Sequence, residues 1–540
     1  MQTRVLGQVF WMIGTIGLMM GSSLALAEVT PMDLAFTRQA ARRMVFDARQ
    51  EIPLWSLRPA EIVGLEVMHP AVTLDDSEPA VYSIQGERLK IQADQPSHSA
   101  MWVGGMNPFA SCVLQIEDLE GYGMIGFDLA SPDGAHRHSM LLTFQDRKPV
   151  SVLWKVMLDG QEVHRETLRT FDDQAPSVPF EFRLQMLGSG LTAFLHKDGL
   201  PQVIGQIDDL NKHLDLRRKQ AIASYQTRLL TLLDAGSSVT VRQARGVLDT
   251  GVGLADLRAM TYEDGQPYLD RGRLWYTISI RGRQLPHHIQ GVFSMDPSTF
   301  DLKLEGIILF DRDDGLLRNE IASHIFYDRE ARQWRGVTTG FTAFADPDEE
   351  KELWAVQSQK DPRFGISVMD AAAMDLVGDY EDAHVLWDTD AQKWRMLVSE
   401  NHGGYKAVVR ESDRWDGDYQ RISGPIDVDS TGTTIQKIGD RRYCMFGSAA
   451  RQLFVYSYPD LQPLGHLHMD LPPWSETSGT RVWANLVPLP EGYPSRYVLL
   501  TMDRFNFPTI TGRNWSYGAL YLYHGRRPDG DRHAYEYESR

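Results

Sequence analysis

Polar side chains stand just before a series of apolar runs in the C-terminal half of the chain. They are Asp256 and Arg258, Glu320 and His324, Glu381, Asp382 and His384, Thr433 and Thr434, and Arg481 and Asn485. Two carboxyl groups that share a site, one protonated and one ionised, can work as a general acid and a general base. A polar residue at the start of a strand is more often a turn or a cap, so the interpretation depends on whether the fold brings these residues together.

A repeat connects these positions. Residues 324–335 read HIFYDREARQWR and residues 384–395 read HVLWDTDAQKWR. An apolar run that ends in Asp, a short charged turn and a second apolar run predict a hairpin. Looser copies occupy residues 260–278, 435–447 and 486–502. Sheet units that recur at roughly 50–65 residues predict the blades of a β-propeller, here a five-bladed one over residues 250–526. Two unrelated hairpins of a β-sandwich are the alternative.

The inner strands of a propeller begin at a central funnel, so we expect the polar residues that precede them to converge there. Carboxylates, histidines and an arginine at one funnel suit a polar substrate better than a protein partner. Glu381 and Asp382 are adjacent and diverge in a regular strand, so only one of them can face the funnel. In the last unit, Arg481 could hold a carboxylate or sulfate or pair with a catalytic carboxylate, and Trp515 could stack on a sugar ring or fill space between blades.

The N-terminal half has a different strand pattern. Short strands with turn residues between them run through residues 57–249, for example 121–131, 139–146, 180–199 and 237–249. This pattern predicts an antiparallel β-sandwich. The order of the segments resembles the concanavalin-like sandwiches that are often attached to carbohydrate-active enzymes. Trp102, His136 and His138 are candidates for a sugar site there, although core packing is the commoner role of such residues. The whole chain is therefore expected to be all-β.

Two motifs of the C-terminal half resemble a known family. Residues 255–262 (ADLRAMTY) with 273–279 (RLWYTIS), and residues 380–387 (YEDAHVLW), are similar to the first and third blades of the five-bladed propeller glycoside hydrolases of family 43. The resemblance implies that Asp256 is the general base and Glu381 the general acid, with Asp382 as the second choice for the acid. The family carries an Asp in its second blade that orients the acid and tunes its pKa. Ala322 stands at that position here, and Glu320 or His324 are the candidates to replace it.

These observations predict a glycoside hydrolase that acts on a polysaccharide or an oligosaccharide. The reaction needs a protonated carboxyl group for the leaving oxygen and an ionised one to activate water or attack the sugar. The expected substrate contacts are Arg258, His324, His384, Arg481, Asn485 and Trp515. Long loops in the fifth unit and an insertion at 342–354 favour a walled pocket and exo-action. One alternative is a polysaccharide lyase, or a glycosidase with His324 or His384 as its acid. Another is a glycan-binding protein without activity, because a fold does not determine a function.

Composition and charge limit the partners. The chain has 540 residues, with 72 acidic against 55 basic side chains and a net charge of -17. A surface this acidic argues against nucleic acid or an anionic membrane as the main partner. The two cysteines, Cys112 and Cys444, lie in different predicted domains and are expected to be buried free thiols. No cofactor is expected. A structural calcium ion at the funnel floor, held through water by such histidines, is the one metal considered.

The N-terminus has the features of an export signal. Arg4 precedes an apolar run at 9–20, and Ala25 and Ala27 supply the small residues of a cleavage site after Ala27. The apolar run is shorter than the roughly 18–20 residues that a membrane span needs. We therefore expect a secreted or periplasmic protein without a membrane span in its mature form.

Two further segments flank the predicted domains. A helical linker is predicted over 28–56, because apolar residues among Arg and Asp can share one stripe of a helix. A polar tail is predicted over 527–540.

Overall fold

The structure is a computed structural model, and it describes residues 29–282, 287–470, 483–511 and 517–527. The predicted signal segment 1–27, Arg481 and Trp515 lie outside these ranges, as does nearly all of the predicted tail. The two cysteines are free and buried, as expected. None of the described helices combines the length and hydrophobicity that a membrane crossing requires.

Two antiparallel sheets pack face to face in the first domain. The seven-stranded sheet contains, in spatial order, Gln161–Thr170, Lys148–Leu158, Arg137–Gln145, Tyr122–Ala130, Gln226–Leu233, Ser97–Gly105 and Ala71–Thr73. The second sheet contains Gln202–Ile207, Gly190–His196, Phe180–Leu187, Ser111–Glu120, Ser237–Asp249, Arg88–Ala93 and Val81–Gln85, with Ala48–Pro53 beside Ser237–Asp249. Alternating apolar residues of both sheets, such as Phe127, Phe144 and Phe182, form one buried core between them. This is the predicted β-sandwich.

Five blades follow. Blade 1 has Leu254–Ala259, Arg273–Arg281, His288–Met295 and Lys303–Asp311; blade 2 has Ile321–Asp328, Gln333–Thr339, Glu352–Ser358 and Gly365–Val377. Blade 3 has Tyr380–Asp388, Lys393–Asn401, Tyr405–Ser412 and Gln420–Ser423; blade 4 has Thr431–Ile438, Arg441–Gly447, Leu453–Ser457 and Pro463–His466. Blade 5 has Asn485–Pro488, Tyr497–Met502, Ala519–Arg526 and Ala35–Arg43, with His468–Met469 at its edge. The prediction of an all-β chain, with a sandwich before a five-bladed propeller, is confirmed.

Short elements complete the fold. They are the two-residue strands Thr261–Tyr262, Leu269–Asp270 and Leu317–Arg318, the α-helices Leu57–Val63, Leu65–Met68 and Lys219–Ser224, and the 3-10 turns Pro31–Asp33, Leu210–Lys212 and Phe341–Ala345. The outer strands of blades 1 and 2, Lys303–Asp311 and Gly365–Val377, pair in parallel and join both blades into one sheet.

The predicted helical linker over 28–56 is wrong. Ala35–Arg43 is a strand that pairs antiparallel with Ala519–Arg526, so the N-terminal segment supplies a strand of the last blade. Phe36 is buried there against Gly525, whose hydrogen leaves room for the ring, since a Cβ would lie 2.6 Å from it. Pairing with a partner from the far end of the chain overrides the local apolar stripe, because sheet hydrogen bonds and burial outweigh weak helix propensity.

Candidate active site

Four inner strands share an irregularity at their funnel end. The register of each strand with its neighbour shifts there, and the residues in the bulge are Asp256, Ala322, Asp382 and Gly432 in blades 1 to 4. Their φ angles are 51°, 57°, 61° and 62°. A bulge inserts one residue and redirects its side chain, and such bulges are common beside active sites. The first and third blades thus present a carboxyl group at equivalent positions, and the second presents only a methyl group.

Asp382 is a buried carboxyl group with a raised pKa. The residue is 3% exposed, and its Oδ2 accepts a hydrogen bond from the Gly432 N–H at 2.7 Å. Burial, followed by the negative charges of Glu381 and Asp256, raises the pKa of Asp382 to about 7. Desolvation and like charges both disfavour the ionised form of a carboxyl group. Asp382 therefore has the properties of a general acid.

Asp256 lies in a different electrostatic environment. It is also 3% exposed, but the Nη2 atom of Arg504 lies 3.5 Å from its Oδ1. Arg504 follows the blade 5 strand Tyr497–Met502 and is itself buried. The two bulge carboxyl groups therefore have different neighbours: Asp256 lies beside a guanidinium, and Asp382 lies beside acidic residues.

Arg258 connects the blades beneath this pair. Its Nη2 donates to the carbonyl oxygen of Asp382 at 2.9 Å, and its Nη1 donates to the carbonyl oxygen of Thr433. The guanidinium also lies 5.4 Å from the centre of the Trp483 ring. Burial lowers the pKa of Arg258 to about 10, although Asp382 and Asp256 partly offset this. The sequence predicted a substrate contact for Arg258, whereas these contacts hold the backbone that carries Asp382.

Glu381 has a separate set of partners. Its Oε1 lies 2.7 Å from Lys351 Nζ and 2.5 Å from the Tyr405 hydroxyl, and both of these groups also contact Asp379. Lys351 stands over the Phe341 ring at 4.6 Å. Glu381 is therefore held in an ion pair with Lys351. Of the two adjacent acidic residues, Asp382 occupies the position equivalent to Asp256, and Glu381 does not.

Glu320 does not take the place of the missing second-blade carboxylate. Its Oε2 accepts from the Thr342 N–H at 2.9 Å, and its Oε1 accepts from the Thr342 hydroxyl. These bonds hold Glu320 against the loop between the second and third strands of blade 2. Its pKa is raised by burial. At Ala322 the backbone N–H donates to Ser279 Oγ at 3.3 Å. The charge that raises the pKa of Asp382 comes from Glu381 and Asp256, not from blade 2.

The two predicted substrate histidines form a buried stack. The rings of His324 and His384 lie 4.0 Å apart at 18°, and both residues are at most 1% exposed. The Val385 N–H donates to His324 Nδ1 at 3.2 Å, which leaves the Nε2 hydrogen for Thr261 Oγ1 at 3.1 Å. Burial lowers the pKa of both imidazoles well below 6.5, and for His384 the neighbouring His324 and Arg258 add to it. Neutral rings stacked in this way lack the imidazolium proton that a catalytic acid donates.

The ring nitrogens of His384 have no hydrogen-bond partner among the described residues. A calcium ion takes six to eight oxygen ligands. No group of three or more His, Cys, Asp or Glu within the described ranges is arranged to hold a metal. The calcium ion considered from the sequence, held through water, stays a prediction, and no step of the chemistry involves it.

Acidification should destabilise the propeller through the histidine stack. Because the folded-state pKa values are lowered, both rings stay neutral in the fold, and this stability is full above pH 6.5 and falls as the pH drops below it. Each pH unit below 6.5 should cost about 1.4 kcal/mol per buried histidine. Urea unfolding between pH 4 and 8 measures this slope. In His384→Leu the slope should be smaller by the contribution of one histidine, about 1.4 kcal/mol per pH unit. An unchanged slope would contradict the conclusion that His384 is buried as a neutral imidazole.

Asn485 closes the ring of blades. Its Oδ1 accepts from the Ala259 N–H at 2.8 Å, and its Nδ2 donates to the Leu257 carbonyl oxygen at 2.7 Å. Both partners lie on the inner strand of blade 1, so this side chain ties blade 5 to blade 1 and is not placed as the predicted substrate contact. Both polar atoms of this buried amide are thus hydrogen-bonded, as is usual for buried polar groups.

Several residues near the two carboxyl groups carried no signal in the sequence. Trp483 is 1% exposed and packs on Gly432, where a Cβ would lie 2.7 Å from the ring. Lys351, Tyr405 and Arg504 reach the acidic residues from loops and from neighbouring strands. Lys351 is the one basic residue in the predicted insertion 342–354, where acidic residues surround it. That charge pattern could have suggested Lys351 as a partner for a carboxylate.

A comparison with solved structures finds proteins that this chain is similar to. A thermostable family-43 glycoside hydrolase is 14% identical, with 51% of this chain and 89% of that chain covered and a TM-score of 0.33. A family-43 enzyme from Xanthomonas citri, complexed with xylotriose, is 11% identical, with 51% and 87% covered and a TM-score of 0.35. A carbohydrate-binding module of family 66 from Bacillus subtilis is 10% identical, with 32% and 92% covered and a TM-score of 0.22. No protein-family model and no curated protein matches the chain.

Proposed function

We propose that the protein is a glycoside hydrolase in which Asp382 is the general acid and Asp256 the general base. The observation that supports this is the pair of buried carboxyl groups at equivalent bulges, one with its pKa raised to about 7 and the other beside a guanidinium. Two neighbouring carboxyl groups in electrostatically different environments are typical of acid–base pairs. Proton transfer from Asp382 to the glycosidic oxygen releases the leaving group, and Asp256 takes a proton from the attacking water.

The substrate is a polysaccharide or oligosaccharide, and attack occurs at a chain end. The long loop after Gln333–Thr339 supports this part of the proposal, because it brings Lys351 to Glu381, the residue before Asp382. The N-terminal features at 1–27 support export from the cell. The alternative with a histidine acid has no support, since His324 and His384 are neutral and stacked on each other.

Incubation with a panel of polysaccharides and capped oligosaccharides tests the function. We expect new reducing ends, no unsaturated product that absorbs in the near-ultraviolet, and early release of monosaccharide. An early ladder of oligosaccharides would contradict exo-action. Binding without any turnover across the panel would contradict the proposed function itself and favour a glycan-binding protein.

The alkaline limb of the pH–rate profile should report Asp382. The acid works only when protonated, so kcat/KM should fall about tenfold per pH unit above a pH of about 7. Removal of a negative neighbour lowers the pKa of a carboxyl group, so Glu381→Gln should move this limb to lower pH. Profiles of wild type and variant between pH 4 and 9 measure the shift. A limb that stays in place in Glu381→Gln would contradict the assignment of Asp382.

A further inference from the structure

A groove of about 790 Å³ lies on the face of the seven-stranded sheet that points away from the sandwich core. Its lining includes Trp102, Arg137, Gln226 and Arg228 on the strands and Gly134 on the loop after Tyr122–Ala130. Small-molecule sites commonly have volumes of about 300–1,000 Å³. All of the lining residues belong to the sandwich, so this groove is separate from the carboxyl pair of the propeller.

The register of the strands places a polar row across the floor of the groove. Arg228 pairs with Trp102 on one side and with Asp128 on the other, and Asp128 pairs in turn with Ser139. Arg228 donates from Nε at 3.0 Å and from Nη2 at 2.5 Å to Asp128 Oδ2, and Ser139 donates to Oδ1 at 2.7 Å. A buried ion pair is weak evidence for stability because its desolvation is costly. Here it fixes a guanidinium in the floor, and the Nη1 atom of Arg228 has no acceptor among the described residues.

Arg137 adds a cation to the next row. It lies two residues before Ser139 on the same strand, and therefore on the same face of the sheet. No ion pair joins Arg137 to a described carboxylate, and its buried Nε has no hydrogen-bond partner there. By contrast, Arg165 on the outermost strand of this sheet makes two hydrogen bonds to Glu162. Arg137 therefore has no described carboxylate partner, although the chain has a net charge of -17. Such a guanidinium is suited to bind a planar anion through two hydrogen bonds.

Trp102 provides an aromatic surface at the rim. It is 36% exposed, although it belongs to a strand whose next residue, Val103, is buried in the core. Asp133 is the acidic residue of the lining, and its carboxylate accepts from Ser131 and Ala135 within its own loop. The groove thus combines the Trp102 ring with the guanidinium groups of Arg228 and Arg137. This combination suits a ligand that has both an apolar C–H face and a carboxylate.

We propose that this groove binds a uronic-acid residue of a glycan, with the carboxylate on Arg137 and the sugar ring against Trp102. Arg228, fixed by Asp128, donates from Nη1 to a ring substituent of the same sugar. The sandwich is thus an acidic-saccharide binding domain whose site is independent of the catalytic residues proposed for the propeller. It would hold the protein on an acidic polysaccharide while the propeller acts.

The test is binding by the full chain carrying Asp256→Asn, so that hydrolysis does not remove the ligand. The probes are polygalacturonate, alginate and glucuronoxylan, each in native and carboxyl-reduced form, and affinity electrophoresis and calorimetry measure the affinity. At least one native polymer should bind ten times or more tightly than its reduced form. Arg137→Gln and Trp102→Ala should each weaken this binding at least tenfold, and Arg165→Gln, the matched control on the same sheet, should leave it unchanged.

Three outcomes would overturn the proposal. They are no binding of any native polymer, equal binding of native and reduced forms, and binding that survives both Arg137→Gln and Trp102→Ala. The last result would place the glycan elsewhere, for example at the propeller. Because the readout is affinity, failure of the proposed hydrolase activity would not change it, and loss of this binding would leave the activity on short substrates intact. Thermal unfolding of each variant shows that the fold is retained; Trp102 is exposed enough that its replacement should not affect it.

Discussion

Replacement of Asp256 by Asn should lower kcat/KM by about 10²–10⁴-fold, the usual contribution of a general acid or base. Asn has nearly the shape of Asp but cannot take a proton from water. The side chain is buried at a bulge, 3.5 Å from Arg504, so the change removes a charge and little volume. Initial rates on the best substrate of the panel, at the pH of maximal activity, measure the loss.

Asp270→Asn is the matched control for this experiment. Asp270 also belongs to blade 1 and pairs with an arginine, Arg363, at 2.9 Å, but it lies on the short strand Leu269–Asp270 away from the bulge. The control should keep activity within about twofold, because the loss of a partly exposed ion pair costs little. If Asp256→Asn keeps near-wild-type turnover while folded, Asp256 is not the base.

The sequence was sufficient to predict the blades because each hairpin is local. In blade 2 the turn after Ile321–Asp328 is held by Asp328, which accepts from the Ala331 N–H at 2.8 Å, and Asp388 holds the equivalent turn in blade 3. These contacts involve residues two or three positions apart, so they leave a visible repeat. The N-terminal strand Ala35–Arg43 leaves no such trace, since its partner Ala519–Arg526 is at the opposite end of the chain.

The choice between Glu381 and Asp382 shows why site residues are harder to predict than blades. In a regular strand two neighbours face opposite sides, and the family motif favoured Glu381. The bulge at Asp382 breaks that alternation, and only the register shift between Glu381 and His384 reveals it. Likewise Arg258 and Asn485 sit where substrate contacts were predicted, but pairing between blades uses their hydrogen bonds. In this funnel, such polar side chains hydrogen-bond the backbone of neighbouring blades, as buried polar groups require, instead of contacting a ligand.

Asp382→Asn should cost about 10²–10⁴-fold in kcat/KM on natural glycans, because the leaving oxygen then departs without a proton. Asn can still accept the Gly432 N–H, so the hydrogen bond at 2.7 Å is retained. A nitrophenyl glycoside has a leaving group that needs little protonation, so the same variant should lose far less activity on it. The ratio of the two losses, measured on both substrates at one pH, identifies a general acid.

Glu381→Gln is the comparison that decides between the neighbours. Glu381 accepts from Lys351 and Tyr405, so its amide should retain part of this network, and the variant should lose less than about tenfold below the alkaline limb. Its loss should also be equal on both substrates, because it donates no proton to the leaving group. If the pattern were reversed, with a leaving-group-dependent collapse in Glu381→Gln and near-normal turnover in Asp382→Asn, Glu381 would be the acid. In that case the ion pair with Lys351 would have to open before each turnover, since a carboxyl group that holds an ammonium group at 2.7 Å cannot at the same time give up a proton.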